Sequence, residues 1–549
     1  MQHLGIQKFS FLVIPILFLL YSAPGALDFV FHFPDEKYYT DAVLQMMDKG
    51  DYFTPYKADG SPRFLKPIIT YWILIFSYKI FGVSTFSSRI FFWIFGAILV
   101  LITYFMTKSL TGKKKTSVIA AFIVASNPLV IMSASRSIPD ILLTLFLTVS
   151  AWGFLELLHS EKKKKRFYWM AYLGAALAFE TKGIPAAAFA GASMLFLILN
   201  PWKKIKFRQL FEPFSMIVAV LVALSWFIIM YIKHGSVYLD SFFADQVGER
   251  VSSKITLVFK NGGLGIVNLI AYLIPWIILF FSRPGKLKSF ILAADNDKTA
   301  INGFIITWVI LIVLMSAAVF KFYDRYLLPG IPLIAILFAS VFTESEIRFK
   351  KGIISILFFM NLVIFIISLA YSIFILPDKI LIVGVFIAGL ILVMWLFKIF
   401  RKVSQEVVIA NGVLLFYFSV FILLYPLLMP NPGKQLVNVL NNEGIKAGDK
   451  VYVYGNIRAA SNIRIQSKNT LSVVSMDTVF QLPAGPNHFL VFDEKEKSKL
   501  DLSNYIVLKG SEEWMRVPVS KFPGFLQNSV EDIKNNGTKY LIAKPVKQE

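Results

Sequence analysis

Apolar runs of about 17 to 22 residues recur along most of this chain and are separated by polar segments. Runs of this length can cross the hydrocarbon core of a membrane as helices. A shorter apolar run at 67–81 predicts an interfacial or partly buried helix instead. The pattern predicts thirteen spans, near residues 8–24, 87–107, 117–133, 141–159, 168–180, 184–200, 213–232, 264–281, 301–319, 326–342, 352–376, 380–398 and 406–429.

The composition supports a membrane protein and excludes several other classes. Of the 549 residues, 56% are hydrophobic and 16% are charged, whereas ordinary soluble domains contain roughly 45–50% apolar residues. Intrinsic disorder requires low hydrophobicity and is excluded. The sequence contains no cysteine, which rules out disulfides, thiolate nucleophiles, iron–sulfur clusters and Cys-type zinc sites.

The net charge of +22 is explained by membrane topology rather than by nucleic-acid binding. Six basic clusters fall in alternate loops, on the same side of the membrane as the N-terminus. The positive-inside rule identifies that side as the cytoplasm. The odd number of spans then predicts a C-terminus outside, and the first span is interpreted as an uncleaved signal anchor rather than a cleaved signal peptide. The clusters lie at 108–115, 162–166, 203–208, 283–298, 348–351 and 398–402.

Residues 1–430 are predicted to form the membrane domain, with two long outside segments at 26–86 and 233–263. In the first of these, Tyr39, Val43 and Met46 recur at helical spacing, which predicts an amphipathic helix that could lie on the membrane surface. Long loops attached to a rigid bundle often carry function.

Residues 431–549 have the composition of a small soluble domain. A predicted helix at 433–443 precedes five short β-type runs, VYVYG, LSVVS, FLVF, YIVL and KYLIA. We therefore predict an extracytoplasmic α/β domain. No internal repeat is visible, which counts against transporter folds built from duplicated halves.

Ionisable residues collect at the outer ends of the predicted spans. Placing a charge beside the bilayer costs free energy, so such residues suggest a function. Carboxylates surrounded by Lys and Arg would suit an anionic phosphate donor and a hydroxyl or amine acceptor. No nucleotide-binding loop and no metal-ligand spacing of histidines is present, although the sequence leaves a divalent metal possible. The candidates are Asp35, Glu36, Lys66, Arg136, Asp140, Lys182, Glu249, Arg250, Lys321, Asp324, Arg325 and Tyr326.

Each candidate also has a purely structural interpretation. Asp35 and Asp140 could simply cap the helices that follow them. Lys66 could extend from the membrane interface to water. Arg250 and Lys321 could be solvated loop charges.

Several motifs occur along the chain in a recognisable order: PDEKYY, GDYFTPY, DGSPRFLKPIITYW, SRSIPD, TKG, FFADQVGERV and KFYDRYLLPGIP. Together they resemble the bacterial GT-C-fold glycosyltransferases over about residues 20–345. The most similar members are the lipid A aminoarabinose transferases and the protein O-mannosyltransferase-like enzymes.

The resemblance implies a GT-C fold and inverting transfer of a sugar from a polyprenyl-phosphate carrier. Asp35 would be the catalytic carboxylate beside the acceptor, and Asp140 the second acid of the site. Lys66 would bind the carrier phosphate with Arg250 and Tyr326. Supporting positions would be Glu36, Tyr39, Arg136, Lys182 and Lys321.

The chain departs from the family pattern at two motifs. Lys37-Tyr38-Tyr39 follows the Asp-Glu pair where the aminoarabinose transferases commonly have x-Arg-Tyr, and Leu65 replaces an acidic residue before the Lys-Pro pair. A metal site that used that acid would lose a ligand, so no metal is predicted.

The sequence leaves the acceptor open between a lipid A-like or surface glycan and a protein. A protein O-mannosyltransferase-like enzyme is therefore the alternative of the same class. A transporter or flippase for lipid-linked sugars is the alternative of another class.

Overall fold

The computed structural model describes residues 10–27, 34–244, 255–282, 295–344, 349–375, 387, 389, 391, 404–424, 432–455, 457–476, 479–483, 487–513 and 538–546. Within these residues, eight helices are long and apolar enough to cross a membrane, and one bent pair of helices makes a possible ninth span. Three further apolar helices are shorter. The chain is therefore a multi-pass helical membrane protein, as the sequence predicts.

The helices are numbered in chain order. They are α1 (Ser10–Leu27), α2 (Pro34–Lys49), α3 (Ile69–Phe81), α4 (Thr85–Thr111), α5 (Lys114–Ala125), α6 (Pro128–Ala134), α7 (Asp140–His159), α8 (Lys165–Lys182), α9 (Ile184–Leu199), α10 (Phe207–Leu210), α11 (Pro213–His234), α12 (Ser236–Phe243), α13 (Ile255–Tyr272), α14 (Trp276–Phe280), α15 (Asn296–Ala318), α16 (Ile331–Glu344), α17 (Lys350–Ile375), α18 (Gln405–Ser419), α19 (Pro432–Asn442) and α20 (Ile457–Gln466). Short 3-10 or π segments cover Asp324–Gly330, Val420–Leu424 and Glu494–Lys499.

Most predicted spans coincide with helices, but the count of thirteen remains a prediction. The run near 117–133 forms α5 and α6, which are bent by 61° between them. The run near 168–180 forms α8, which has charged residues at both ends and is not apolar enough to count as a span. The run near 380–398 lies almost wholly outside the described residues.

The span predicted near 264–281 is displaced toward the N-terminus. Helix α13 begins at Ile255, inside the predicted second long loop, and ends at Tyr272. The chain breaks before Pro275, because proline lacks the N–H that would continue the helical hydrogen bonds. The described part of that loop also contains α12.

Helix α2 packs against the helix bundle through its apolar face. Its apolar side chains Tyr39, Val43 and Met46 are buried in the same apolar cluster as residues of α3. Helix α3 is partly buried, as predicted, with Tyr71 inside and Phe76 exposed. That α2 lies on the membrane surface stays a prediction.

The C-terminal residues form a five-stranded sheet, and each of the five β-type runs forms one strand. Strands β1, β2 and β3 are parallel, with β1 between the other two, whereas β5 pairs antiparallel with both β3 and β4. Helices α19 and α20 contribute to an apolar cluster with β1, β3 and β5. The strands are β1 (Lys450–Tyr454), β2 (Ser472–Met476), β3 (His488–Asp493), β4 (Tyr505–Glu513) and β5 (Thr538–Pro545).

Helices α7 and α8 approach closely because glycines lie between their backbones. A Cβ atom added at Gly153 would lie 2.3 Å from the backbone nitrogen of Ala171. Ser150 Oγ donates a hydrogen bond to the Ala171 carbonyl at 2.7 Å. Small residues allow such close backbone contact in membrane bundles. The contact brings Asp140, the first residue of α7, to the same end of the bundle as Lys182, the last residue of α8.

We expect Gly153→Ala to destabilise the protein by about 1–3 kcal/mol, because the added methyl group forces the two backbones apart. Thermal unfolding of the purified protein in detergent measures this effect. Gly191→Ala in α9 is the matched control, since an added Cβ there would meet nothing within 4 Å. Equal unfolding temperatures for the two variants would contradict the packing argument.

Candidate active site

A cavity of about 290 Å³ opens at one end of the helix bundle and collects charged side chains from distant parts of the chain. Five cationic side chains outnumber two carboxylates in its lining, and four tyrosines complete the polar wall. These side chains are Arg63, Lys66, Lys182, Lys321 and Arg325, then Asp35 and Asp140, then Tyr38, Tyr39, Tyr323 and Tyr326. The excess of positive charge makes the cavity suitable for an anion.

The two carboxylates are joined by one arginine. Arg325 Nη2 lies 2.5 Å from Asp35 Oδ2, and Arg325 Nε lies 3.4 Å from Asp140 Oδ2. Lys182 forms a second ion pair with Asp140. The Asp140 side chain is 3% exposed, whereas that of Asp35 is 32% exposed. Asp35 is therefore the carboxylate that a bound molecule can reach more easily.

The structure distinguishes the possible roles of Asp140. Helix α7 begins at this residue with Pro139 before it, and Pro139 makes no side-chain capping bond. The carboxylate of Asp140 instead pairs with Lys182 and Arg325. An acid in the first turn also interacts favourably with the helix dipole. Asp140 therefore belongs to the charge network of the cavity.

A tight turn presents the cations of the first loop. Tyr56 and Pro62 form an isolated antiparallel bridge, and Gly60, with φ of +80°, allows the chain to reverse between them. Asp51 fixes the base of this loop, because Lys233 Nζ donates to its carboxylate at 2.7 Å. The loop then leads to Arg63 in the cavity wall.

Lys66 follows the same turn and is 7% exposed. A lysine that extended from the interface to bulk water would be more exposed, so the snorkelling interpretation does not fit its position. Its charge acts on Asp140, which places it on the cavity side of the loop.

Arg63 is 9% exposed, and its Nε atom has no hydrogen-bond partner among the described residues. Its guanidinium group lies 5.0 Å from the Tyr38 ring centre and 5.3 Å from that of Tyr39. Within the described part of the chain, Arg63 forms no ion pair with a carboxylate. A buried cation of this kind can accept an anionic ligand without breaking an existing salt bridge.

Lys182 and Arg325 also lie against tyrosine rings. Lys182 Nζ is 5.0 Å from the Tyr326 ring centre, and the Arg325 guanidinium is 4.4 Å from that of Tyr323. Such contacts hold a cation in place by attraction to the ring face.

Glu36 was a supporting candidate, but it does not line the cavity. It is fully buried and accepts hydrogen bonds from Arg89 Nε at 2.9 Å and Arg89 Nη2 at 2.7 Å. It also accepts from the Ser137 N–H at 2.9 Å. Glu36 thereby ties α2 to α4 and to the segment just before Asp140.

The structure brings most predicted site residues together. Arg136, a predicted supporting residue, lies outside the lining and contributes charge near Glu36. Arg250 lies outside the described residues. The cavity contains Asp35, Tyr39, Lys66, Asp140, Lys182, Lys321 and Tyr326 from the predicted set.

Sequence reasoning missed Arg63, Tyr38 and Tyr323, which also line the cavity, and it gave the lining residue Arg325 no role. Arg63 stands three positions before Lys66 in the motif DGSPRFLKP, and Arg325 stands next to Tyr326 in KFYDRY. Both motifs are part of the family resemblance. The signal available for these two arginines is their position close to residues that have an assigned role. Within the described residues, no group of three or more His, Asp or Glu side chains could hold a metal ion.

Comparison with known proteins gives consistent results. The profile of the family described as dolichyl-phosphate-mannose-protein mannosyltransferase matches residues 65–231. An undecaprenyl phosphate-alpha-4-amino-4-deoxy-L-arabinose arabinosyl transferase of Yersinia pestis (strain Pestoides F) is 27% identical over 334 residues, which cover 59% of each chain. An uncharacterised protein of Aquifex aeolicus (strain VF5) is 27% identical over 370 residues, or 67% of this chain and 70% of that protein.

The crystal structure of ArnT from Cupriavidus metallidurans bound to undecaprenyl phosphate superposes with a TM-score of 0.70. The match covers 98% of both chains at 13% sequence identity. The predicted resemblance to GT-C glycosyltransferases is confirmed, and the superposition shows that this chain shares the fold of that ArnT. The sequence match spans about three fifths of the length of the arabinosyl transferases.

Proposed function

We propose that this chain is an integral-membrane glycosyltransferase that takes a sugar from a polyprenyl-phosphate carrier, undecaprenyl phosphate in bacteria. It transfers the sugar to a lipid A-like or surface-glycan acceptor, with inversion at the anomeric carbon. The observation that carries this proposal is the cavity in which five cations surround two bridged carboxylates. Such a site can hold a phosphate leaving group beside a carboxylate that accepts a proton.

The phosphate of the donor binds to the cations of the cavity. Lys66 is the principal ligand, and Tyr326 assists it. The sequence assigns the same supporting role to Arg250, which lies outside the described residues. Arg63 adds a buried guanidinium without a carboxylate partner among the described residues. These groups neutralise the charge that develops on phosphate as the glycosidic bond breaks.

Asp35 takes the proton of the acceptor nucleophile as that atom attacks the anomeric carbon. The bond between the anomeric carbon and the phosphate oxygen breaks, and polyprenyl phosphate leaves with the bonding electron pair. Asp140, held by Lys182 and Arg325, orients the acceptor or Asp35. Arg325 keeps the two carboxylates in a fixed relation throughout.

The cavity faces the periplasm in this proposal, and the chain lies in the bacterial inner membrane. Helix α7 has Asp140 at its cavity end and the basic cluster 162–166 just beyond its other end. Helix α4 likewise ends at the basic cluster 108–115. Basic loops favour the cytoplasm, which leaves the cavity outside. The N-terminus is then cytoplasmic.

We further propose that residues 1–430 are the catalytic membrane domain and that residues 431–549 form a periplasmic domain. The five-stranded sheet lies wholly within the second of these ranges. Its position outside the membrane follows from the same topology.

Mass spectrometry of co-purifying lipids tests the proposed donor. Wild-type protein and Asp35→Asn are purified without added substrate, and their bound lipids are extracted. We expect a polyprenyl-phosphate sugar to be enriched in the variant. The mass of this lipid identifies the sugar. Only bulk phospholipid in both samples would contradict the proposal.

We expect Lys66→Ala to weaken binding of undecaprenyl phosphate by about 1.5–3 kcal/mol, the range for a hydrogen bond to a charged group. Titration of the purified protein with this lipid measures the change. Lys57→Ala is the control, because Lys57 is an exposed cation of the same loop outside the cavity. Equal affinity in the two variants would remove Lys66 from the donor site.

A protein acceptor is the second candidate, favoured by the match of residues 65–231 to the protein mannosyltransferase profile. The two acceptors are separated by incubating the enzyme with its donor and a total membrane fraction. Label in the extracted glycolipid supports the first candidate. Label in polypeptide supports the second.

A further inference from the structure

The C-terminal domain contacts the helix that carries Asp35. Arg464 of α20 donates from Nη1 to Asp41 Oδ1 of α2 at 2.6 Å. The two side chains are 7% and 3% exposed, so the ion pair is buried. Arg464 Nη2 donates to the Val473 carbonyl at 2.9 Å. One planar guanidinium therefore joins the edge strand β2 of the sheet to α2.

Two further contacts lie beside this ion pair. Ile465 is 1% exposed and belongs to the apolar cluster of the helix bundle rather than to the core of the sheet. Gln466 Nε2 donates to Thr85 Oγ1 at 3.4 Å. Thr85 begins α4, the helix whose Arg89 holds Glu36. Helix α20 therefore contacts both helices that determine where Asp35 lies.

Asp41 lies six positions after Asp35 on the same helix, which corresponds to about 9 Å along the axis. A continuous helix transmits a shift at one of these residues to the other. Burial raises the pKa of Asp41, although the charge and hydrogen bond of Arg464 act in the opposite direction. Asp41 Oδ2 has no hydrogen-bond partner among the described residues. The position of this buried acid therefore depends on Arg464.

We propose that the C-terminal domain is a clamp for the catalytic helix, with Arg464 as a positioning residue that acts through Asp41. The clamp holds α2 so that Asp35 meets Arg325 at the cavity. This inference rests on the proposed function of Asp35. It gives the soluble domain a part in catalysis without contact to substrate.

A domain that only stabilises the bundle makes a different prediction. Loss of the ion pair would then lower the amount of folded protein, while each folded molecule kept its turnover. A clamp instead lowers kcat in molecules that still bind the donor. The deciding measurement is therefore kcat per donor-binding site.

We expect Arg464→Met to lower kcat by about 10- to 100-fold, because a small displacement of a catalytic group has effects of this size. The affinity for undecaprenyl phosphate should fall much less than kcat, since its principal ligand Lys66 is not on α2. Arg464→Lys keeps the charge and should restore part of kcat. If Arg464→Met fails to fold, Arg464→Lys is used for the same measurement.

Lys544→Met is the matched control. Lys544 forms an ion pair with Glu443 inside the same domain, and neither residue belongs to α2. This variant should keep the kcat of the wild type. A fall in kcat equal to that of Arg464→Met would show a general effect of the domain and overturn the clamp.

Hydrogen–deuterium exchange of the full-length protein tests the clamp without an activity assay. We expect the amides of residues 34–49 to exchange about ten times faster or more in Arg464→Met, and unchanged exchange there in Lys544→Met. Equal exchange in Arg464→Met and wild type overturns the clamp. Suppose that the wild-type protein transfers no sugar, while residues 34–49 still exchange faster in Arg464→Met than in wild type. This result would support the clamp and reject the proposed function.

Discussion

Asp35→Asn is expected to lose sugar transfer by about 10²–10⁴-fold, the usual contribution of a general base. The substitution keeps the shape of the side chain and removes the negative charge that Arg325 contacts at 2.5 Å. Arg325 retains its contact with Asp140, so the cavity keeps its form. Transfer is measured with the donor identified from co-purifying lipid, and donor binding is measured by titration with undecaprenyl phosphate.

Asp59→Asn is the control for this variant. Asp59 is an exposed acid of the loop that follows α2, and its carboxylate accepts hydrogen bonds from Ser61 outside the cavity. This variant should transfer sugar at the wild-type rate. Loss of donor binding in Asp35→Asn would contradict the role of acceptor base.

Glu36→Gln is expected to destabilise the folded protein by about 3–5 kcal/mol, because it leaves the charge of Arg89 buried without its partner. The Arg89 and Glu36 side chains are 1% and 0% exposed. Thermal unfolding in detergent measures the loss. Glu156→Gln is the control, since Glu156 is a buried acid whose observed partners are neutral donors, Trp152 and Ser160 among them. We expect a smaller loss of stability in Glu156→Gln. An equal loss in the two variants would contradict the role given to the ion pair.

The same pair predicts a dependence of stability on pH. Burial by itself raises the pKa of Glu36, but Arg89, the Ser137 N–H and Arg136 together bring it below its ordinary value of 4.5. The folded protein therefore binds the Glu36 proton less tightly than the unfolded chain does. The contribution of the pair is fully present above about pH 4.5 and is lost as the pH falls through the lower folded pKa. The difference in stability between wild type and Glu36→Gln should shrink in acid.

Much of the fold follows from local patterns. The runs VYVYG and KYLIA are short and apolar, with the β-branched and aromatic residues typical of strands, and both form strands of the sheet. Apolar runs longer than about 17 residues have few alternatives to membrane helices. The environment of α2 could not be predicted in the same way. Its apolar face is covered by segments such as α3 and α20 that the sequence does not place beside it.

The candidate site was predictable in its residue types but not in its pairings. A carboxylate after a proline suggests either a cap or a site residue, and only the neighbouring charges decide between them. Arg325 lies 290 positions after Asp35, so the contact between them leaves no periodic signal in the sequence. Glu36 shows that a neighbour in sequence need not share the site. It stands next to Asp35, but its side chain is buried in the protein interior.

The contact between Asp41 and Arg464 joins residues 423 positions apart. At a synthesis rate of roughly 5–20 residues per second, the ribosome reaches Arg464 about 20 to 85 seconds after Asp41. During that interval the nascent chain holds an unclamped α2. We therefore expect sugar transfer to reach its full rate only after the C-terminal domain has been translocated and folded.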